Sequence, residues 1–358
     1  MSRKRLRELG IVIGELPPGP LNALTDVPGV WVGHTTLIHD EPRIARTGIT
    51  VIVPREDQIQ TDHCFAGYYS FNGNGEMTGI HWLEEAGLLG TPIAITNTHQ
   101  VGVVRDALVA YETSRQPDSA WLLPVVAETY DGWLNDINAF HLTQADLLAA
   151  MANAKSGPVA EGNVGGGTGM ICHGFKGGIG TASRLVEVES GRYTVGALVQ
   201  ANYGWREHLR VDGVAVGRAI PPSRVPKPWD QPVSDGSIIV VVATDAPLLP
   251  VQCKRLARRA TVGLARVGGN GYNSSGDIFI AFATGNHVPP DSKAPIALQM
   301  IPHDQLNSFF NAVAEAVEES ILNALCAAET MTGYQGHTAY ALPLEELEKI
   351  MGSGCAKL

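Results

Sequence analysis

The sequence predicts a layered fold of strands and helices, α/β or α+β. Short runs rich in Val, Ile, Thr and Phe recur between Gly, Pro, Asn and Asp, as strands bounded by turns do. Helical periods separate these runs. Several runs are apolar at every position instead of alternating, the pattern of a sheet covered on both faces.

In chain order, the first strands fall at Thr50 to Pro54, Ile93 to Thr96 and Trp121 to Ala127. Thr143-Gln-Ala-Asp146 then opens LLAAMANA as a helix, with Asp in place of the usual Glu or Gln of a capping box. A strand follows at Thr194 to Ala201. Residues 219–236 carry five prolines and no hydrophobic period, which predicts a loose tether running over the surface. Ile238 to Thr244 opens with six apolar residues and reads as a buried strand. Cys253 to Val267 is a helix with arginines and lysine set opposite Leu256, Val262 and Leu264. Ile278 to Thr284 is the last strand. In the helix from Asp304 to Ala327, Leu306, Phe309, Phe310, Val313, Val317, Ile321 and Leu325 recur at three- and four-residue steps and predict one buried stripe. The tether is the one strong break in composition. Because a core-like strand follows it directly, residues 1–358 are expected to form one interwoven domain.

With 358 residues, 44% of them hydrophobic and 17% charged, and with 40 glycines, the chain has the make-up of a compact, turn-rich globule with a large core. The formal net charge of -10 and the lack of a basic stripe argue against a nucleic-acid partner, whose binding needs phosphate neutralisation. No apolar run approaches the length of a membrane span. The basic start MSRKRLRELGIVIG lacks an apolar core of signal-peptide length, so a cytoplasmic protein is expected. The five cysteines, Cys64, Cys172, Cys253, Cys326 and Cys355, are scattered and odd in number, hence expected as buried small hydrophobes instead of disulfides.

Two glycine-rich stretches, Gly162 to Gly169 and Gly268 to Gly271, lack the GxxxxGK[ST] pattern of a phosphate cradle. They are expected to let backbone pass close to backbone. The eleven histidines include no HExxH and no i,i+4 pair, so neither a metal nor another cofactor is expected.

Gly236-Ser237 stands where the tether meets the strand. As an isolated pair it would be a turn residue entering a strand. A serine hydroxyl becomes a good nucleophile when a base takes its proton, and the free α-amine of an N-terminal serine can be that base. Such a terminus arises when the hydroxyl attacks the preceding carbonyl and water cleaves the resulting ester. A preceding glycine leaves that carbonyl open and tolerates strain. Asn273-Ser-Ser-Gly-Asp277 precedes the next strand, where Ser275 and Asp277 can pair as carboxylate and hydroxyl, although Asx- and Ser-rich turns are also commonplace. Asn202 closes an apolar strand, either as a turn former or as a donor of the kind found in oxyanion holes. Glu128 and Tyr130 end another strand two positions apart, where they can hold an ammonium and an oxygen or simply be solvated.

Together, DGSIIVVVATDAPLLP, NSSGD, VQANYG, AETYDG, FNGNGEMTG and TNTHQVGVVRDA resemble the DmpA family: the L-aminopeptidase D-Ala-esterase/amidases and β-peptidyl aminopeptidases of peptidase family S58. The likeness runs from Gly19 to Gly333 with the motifs in the family's order. It implies a four-layer αββα sandwich, similar in layers to the N-terminal-nucleophile hydrolases but different in connectivity. It also implies a precursor that cuts itself between Gly236 and Ser237 into fragments 1–236 and 237–358, assembled as oligomers of such heterodimers. By motif position, Ser237 is the nucleophile, Ser275 and Asp277 support it, and Asn202 is the oxyanion donor. Glu128 and Tyr130 lie in the substrate site, Glu128 facing the substrate's amine. Some relatives carry Glu where this chain has Asp277. The serine proton is taken either by the α-amine of Ser237 or by the Ser275–Asp277 pair. The implied substrates are short peptides, amides or esters of D-Ala, L- or β-amino acids. The rival readings are an acyltransferase of the ornithine acetyltransferase type, which uses an N-terminal threonine, and an uncut binding protein.

Overall fold

The structure, a computed structural model, describes residues 3–118, 121–229 and 236–354. The strands are β1 (Trp31–His39), β2 (Ala45–Val53), β3 (His63–Gly73), β4 (Leu88–Leu89), β5 (Ile93–Asn97), β6 (Val125–Thr129), β7 (Ile171–Cys172), β8 (Phe175–Lys176), β9 (Gly178–Val188), β10 (Gly191–Tyr203), β11 (Gly236–Thr244), β12 (Gly276–Val288), β13 (Met331–Thr332) and β14 (Thr338–Ala339). The helices are α1 (Ile80–Ala86), α2 (Val101–Arg115), α3 (Gln144–Ala152), α4 (Val216–Ala219), α5 (Pro250–Val267), α6 (Leu306–Ala327) and α7 (Leu344–Gly354).

Two sheets carry the fold. One has the order β1-β2-β5-β6, the other β4-β3-β12-β11-β10-β9. The apolar run in β11 is buried on both faces. Ile238, Val240 and Val242 join the core under α5 and α6, while Ile239, Val241 and Ala243 join the core between the sheets. Phe279 and Ile280 of β12 divide in the same way. Fully burying one Val or Ile is worth roughly 1.5–3 kcal/mol relative to exposure, which explains why the strands read as continuous apolar runs. α2 and α3 cover the outer face of the smaller sheet through Val104, Leu108, Leu147 and Ala150. The layers are therefore α, β, β, α, as the resemblance implies.

Four expectations change in detail. The strand expected from Trp121 begins only at Val125. Trp121 and Leu123 are exposed, and Pro124 stands at the boundary. On α5, Val262 lies on the solvent face with the cations because it is four residues from both Arg258 and Arg266. α6 buries far more than a stripe. From Ala312 to Cys326 every residue is buried, including Glu315, Glu318, Glu319, Ser320 and Asn323. The cause is the N-terminal arm laid across it. The Leu6 N–H donates to Asn323 Oδ1 at 3.1 Å, Arg7 Nε to Glu319 at 2.8 Å, and the N–H groups of Glu15 and Leu16 to Glu315 at 3.1 Å.

The tether is not loose where it is described. Ile220 is fully buried, Arg206 Nη1 donates to the Val225 carbonyl at 2.6 Å, and Trp229 packs edge-on to Trp133. Its last part, 230–235, lies outside the described residues. Cys64, Cys172, Cys253 and Cys326 are buried and free, and Cys355 lies outside the described residues. Among the described residues no helix is long and apolar enough to cross a membrane.

Candidate active site

The site forms where the central strands of the larger sheet begin and end. β10 and β11 are antiparallel, with Asn202 opposite Ser237 and Tyr203 opposite Gly236. Directly opposed residues share a face of the pleat. That face looks toward the smaller sheet, since Leu198 and Ile239, in phase with Asn202 and Ser237, belong to the core between the sheets. Both side chains are buried, Ser237 to 6% and Asn202 to 8% exposure.

Two hydrogen bonds fix the Asn202 amide. Its Oδ1 accepts the Ile171 N–H at 2.8 Å, and its Nδ2 donates to the Tyr130 carbonyl at 2.9 Å. A backbone N–H can only donate and a carbonyl only accept, so the amide orientation follows from its partners. Among the described residues, the second Nδ2 proton is left for another acceptor.

Gly236 stands at φ +82°, and a Cβ there would lie 1.9 Å from the Asn202 carbonyl oxygen and 2.7 Å from Tyr203 Cα. Backbone fills that space, so only glycine fits.

Ser275 donates to Asp277 Oδ1 at 2.7 Å, and both are buried. Their loop is tied to β3 and the turn after it: Asn74 N–H donates to the Ser275 carbonyl at 3.2 Å and Asn74 Nδ2 to the Ser274 carbonyl at 2.8 Å. β11 and β12 run parallel, with Ser237 beside Gly276 and Ile238 beside Asp277. Ile238 and Phe279, in phase with Asp277, face the α5–α6 side. The hydroxyl–carboxylate pair thus flanks the backbone of Ser237 from the face opposite its hydroxyl. Tyr203 lies on that same face. Burial raises its phenol well above the ordinary value, with Cys172 and Asp277 adding to the shift.

Glu128 is 3% exposed. Its Oε1 accepts the Glu76 N–H at 3.0 Å and its Oε2 the Thr98 hydroxyl. Burial raises its pKa against the pull of these two bonds, and the Glu76 carboxylate raises it further. An ideal Cβ on Gly75 would lie 3.2 Å from Glu128 Oε1 and 3.3 Å from Gly276 Cα, so only that glycine separates the carboxylate from the neighbour of Ser237. Tyr130 lies just past the end of β6, 47% exposed, with its ring over Gly132. Its phenol is raised by partial burial and then by Asp131. Asp131 is wholly buried behind it, accepts from Asn135 Nδ2 at 3.1 Å, and is pushed up to about 7, chiefly by burial.

The structure therefore brings Ser237, Asn202, Ser275 and Asp277 to one end of the sheet, with Glu128 one glycine away and the Tyr130 backbone bonded to Asn202. Thr98 and Glu76 escaped the residue-level reading. They stand inside the motifs TNTHQVGVVRDA and FNGNGEMTG, but nothing in their spacing announces a contact with Glu128. The glycines 165–167 do work by close approach: a Cβ on Gly166 would lie 2.7 Å from the Ile95 carbonyl, and one on Gly167 2.4 Å from the Ile179 nitrogen. Among the described residues no three His, Cys, Asp or Glu side chains are grouped to hold a metal.

Comparison with known proteins gives a consistent result. The family model for peptidase family S58 matches residues 22–339. A β-peptidyl aminopeptidase, BapA, of Sphingosinicella microcystinivorans is 49% identical over 97% of this chain and 91% of its own. The solved β-aminopeptidase of a Burkholderia species superposes with a TM-score of 0.91 at 53% identity, covering 98% of this chain and 99% of that one. The L-aminopeptidase D-Ala-esterase/amidase of Ochrobactrum anthropi, described as a prototype of the serine aminopeptidases, superposes at 0.90 with 46% identity and the same coverage. A shared fold alone would leave function open, but identity of this order across whole chains does not. The chain belongs to peptidase family S58 and is a serine aminopeptidase.

Proposed function

We propose that the chain is made as an inactive precursor that cuts itself between Gly236 and Ser237, and that Ser237, as the new N-terminus of fragment 237–358, is the nucleophile. The Ser237 hydroxyl attacks the Gly236 carbonyl carbon, the C–N bond breaks as the acyl group moves to oxygen, and the freed nitrogen takes up the proton. Water then cleaves the ester, leaving a carboxylate on Gly236. The observation that carries this reading is the register that sets Ser237 against the doubly anchored Asn202 amide, immediately after a glycine held at positive φ.

The cut enzyme hydrolyses short peptides, amides or esters that carry a free N-terminal amine. The substrate's ammonium binds at the Glu128 carboxylate, with the Tyr130 phenol at the mouth. Ser237 attacks the carbonyl, the free Nδ2 proton of Asn202 meets the oxyanion, and water later releases the acyl group. Because Ser275 and Asp277 flank the Ser237 backbone and not its hydroxyl, they orient the α-amine, and that amine is the base. The relatives' printed names extend the acyl groups to β-amino acids, L-residues and D-Ala. The cut heterodimer works in the cytoplasm as an oligomer.

Intact-mass measurement tests the reading. The wild type should give two polypeptides, the smaller beginning at Ser237, and Ser237→Ala a single inactive chain of 38.1 kDa. A Ser237→Ala protein that still splits, or an active wild type that stays whole, would overturn it.

A further inference from the structure

Beyond Gly236 and Tyr203 lies a cavity of about 390 Å³, at the small end of ligand pockets, lined by Gly174, Gly204, Trp205, Arg206, Lys227 and Trp229 among others. Its walls come from the elements that hold the site. Gly204 follows Tyr203, the residue opposite Gly236. Trp205 stacks on Tyr272, three residues before Ser275, with ring centres 5.2 Å apart. Trp229 packs against the small apolar cluster that contains Ile171, whose N–H holds Asn202. Glu128 lies on the other side of Ser237, beside Gly75 and Gly276. An acyl group anchored at Glu128 therefore points its leaving amine toward β10 and this cavity.

The cavity also holds an uncompensated charge. Arg206 is 1% exposed, with its guanidinium 3.7 Å over the Phe175 ring. It donates to the carbonyls of Val225 at 2.6 Å and Pro226 at 3.4 Å, and to that of Gly174. Among the described residues no carboxylate pairs with it: the adjacent Glu207 is engaged by Lys227. Its Nε is buried and has no partner. A Cβ on Gly174 would sit 3.6 Å from that nitrogen, so glycine at 174 leaves the Nε–H side uncovered within the lining. A buried cation lacking an anion is costly, and burial already lowers the guanidinium pKa to about 10.

Resting on the reading that Ser237 and Asn202 are the reacting centre, we propose that this cavity is the subsite for the leaving part of the substrate and takes the C-terminal residue of a short peptide. The free carboxylate meets Arg206 Nε–H, and an aromatic or apolar side chain lies between Trp205 and Trp229. The Lys227–Glu207 pair closes the rim. The preferred substrates are then di- and tripeptides with a free C-terminus, ahead of the corresponding carboxamides.

The test holds the N-terminal residue constant and varies the leaving part on the cut enzyme. Four substrates are compared: a dipeptide ending in free phenylalanine, its C-terminal carboxamide, its C-terminal dimethylaminoethyl amide, and the plain aminoacyl carboxamide. The free acid should exceed its carboxamide in kcat/KM by about ten-fold, the worth of one charge-assisted hydrogen bond, with the cationic amide lowest. In Arg206→Gln the acid-to-carboxamide ratio should fall toward one. That ratio is independent of how much of the variant is folded. Should the variant give no soluble protein, the wild-type order of acid, carboxamide and cation decides alone. A flat or reversed order, or an unchanged ratio in the variant, overturns the subsite. A wild type that cleaves none of the four and remains uncut at 236–237 refutes the reading of Ser237 instead.

Discussion

At single residues, the site depends on positions that tolerate no other side chain. Gly236→Ala places a methyl group within 1.9 Å of the Asn202 carbonyl oxygen and asks alanine to hold φ +82°. The backbone must move, and the scissile carbonyl moves with it. The variant should accumulate as the uncut chain on denaturing gels, and cleavage at the wild-type rate would show that this conformation is not needed. For Asn202, loss of the oxyanion donor in Asn202→Ala should lower kcat roughly 10²–10³-fold with little change in KM. Asn202→Asp should do no better, because a carboxylate still accepts the Ile171 N–H but repels both the Tyr130 carbonyl and the oxyanion. An aspartate variant with near-native kcat would remove Asn202 from that role. Glu128 is a carboxyl whose pKa burial raises, and it must be ionised to hold an ammonium. In the free enzyme, kcat/KM should therefore fall with decreasing pH through a limb lying above the ordinary glutamate value of about 4.3. Glu128→Gln should lose that limb along with most of its kcat/KM, and a limb that survives unchanged belongs to another group.

Elements show what the sequence could and could not disclose. β11 and β12 were legible because burial on both faces writes a continuous apolar run, and the Ser275–Asp277 contact was legible because i and i+2 share one face of a strand. β1, with His34, Thr35 and Thr36 among its apolar residues, and β9, opening GIGTAS, carry no such run and were missed. The length of α6 was readable, but its burial was not. Glutamates that look solvent-facing are instead neutralised from afar, Glu319 by Arg184 at 2.7 Å and by Arg7 at 2.8 Å, and Glu315 by Arg184 at 3.0 Å. The same holds for Glu128, whose partners Glu76 and Thr98 are 52 and 30 residues away. Removing one member of a buried pair leaves its partner unpaired, so Glu319→Ala should cost about 3–5 kcal/mol in urea unfolding, and a loss under 1 kcal/mol would mean that water reaches Arg184. For Glu319, burial pushes the pKa up, but the bonds from Arg7 and the charge of Arg184 outweigh it and hold the pKa below its ordinary value. Its stabilisation is accordingly present above the unfolded-state pKa and is lost as pH falls through the lowered folded value.

For the whole molecule, the order β4-β3-β12-β11-β10-β9 decides what a cut at 236–237 would do. β11 and β12 lie in the middle of the sheet, between β10 and β3, and α5 and α6 cover them. The second fragment thus supplies the centre of the larger sheet and its outer helices, and the first supplies the flanks and the entire smaller sheet. Neither piece has a closed core. Separated, β3 and β10 would each present an open edge, and α6 would lose the N-terminal arm and Arg184. The cut enzyme should therefore unfold in one cooperative transition in which unfolding and dissociation are the same event. Mass action makes such a midpoint depend on concentration, because two freed chains must find each other again. The uncut Ser237→Ala chain unfolds to one molecule and carries no such dependence. Urea titrations of both proteins across a hundred-fold range of concentration should show the cut enzyme's midpoint rising with concentration while that of Ser237→Ala stays fixed. A cut enzyme with an invariant midpoint, or with two separate transitions, would mean that the fragments fold independently and that the shared sheet is not what holds them together.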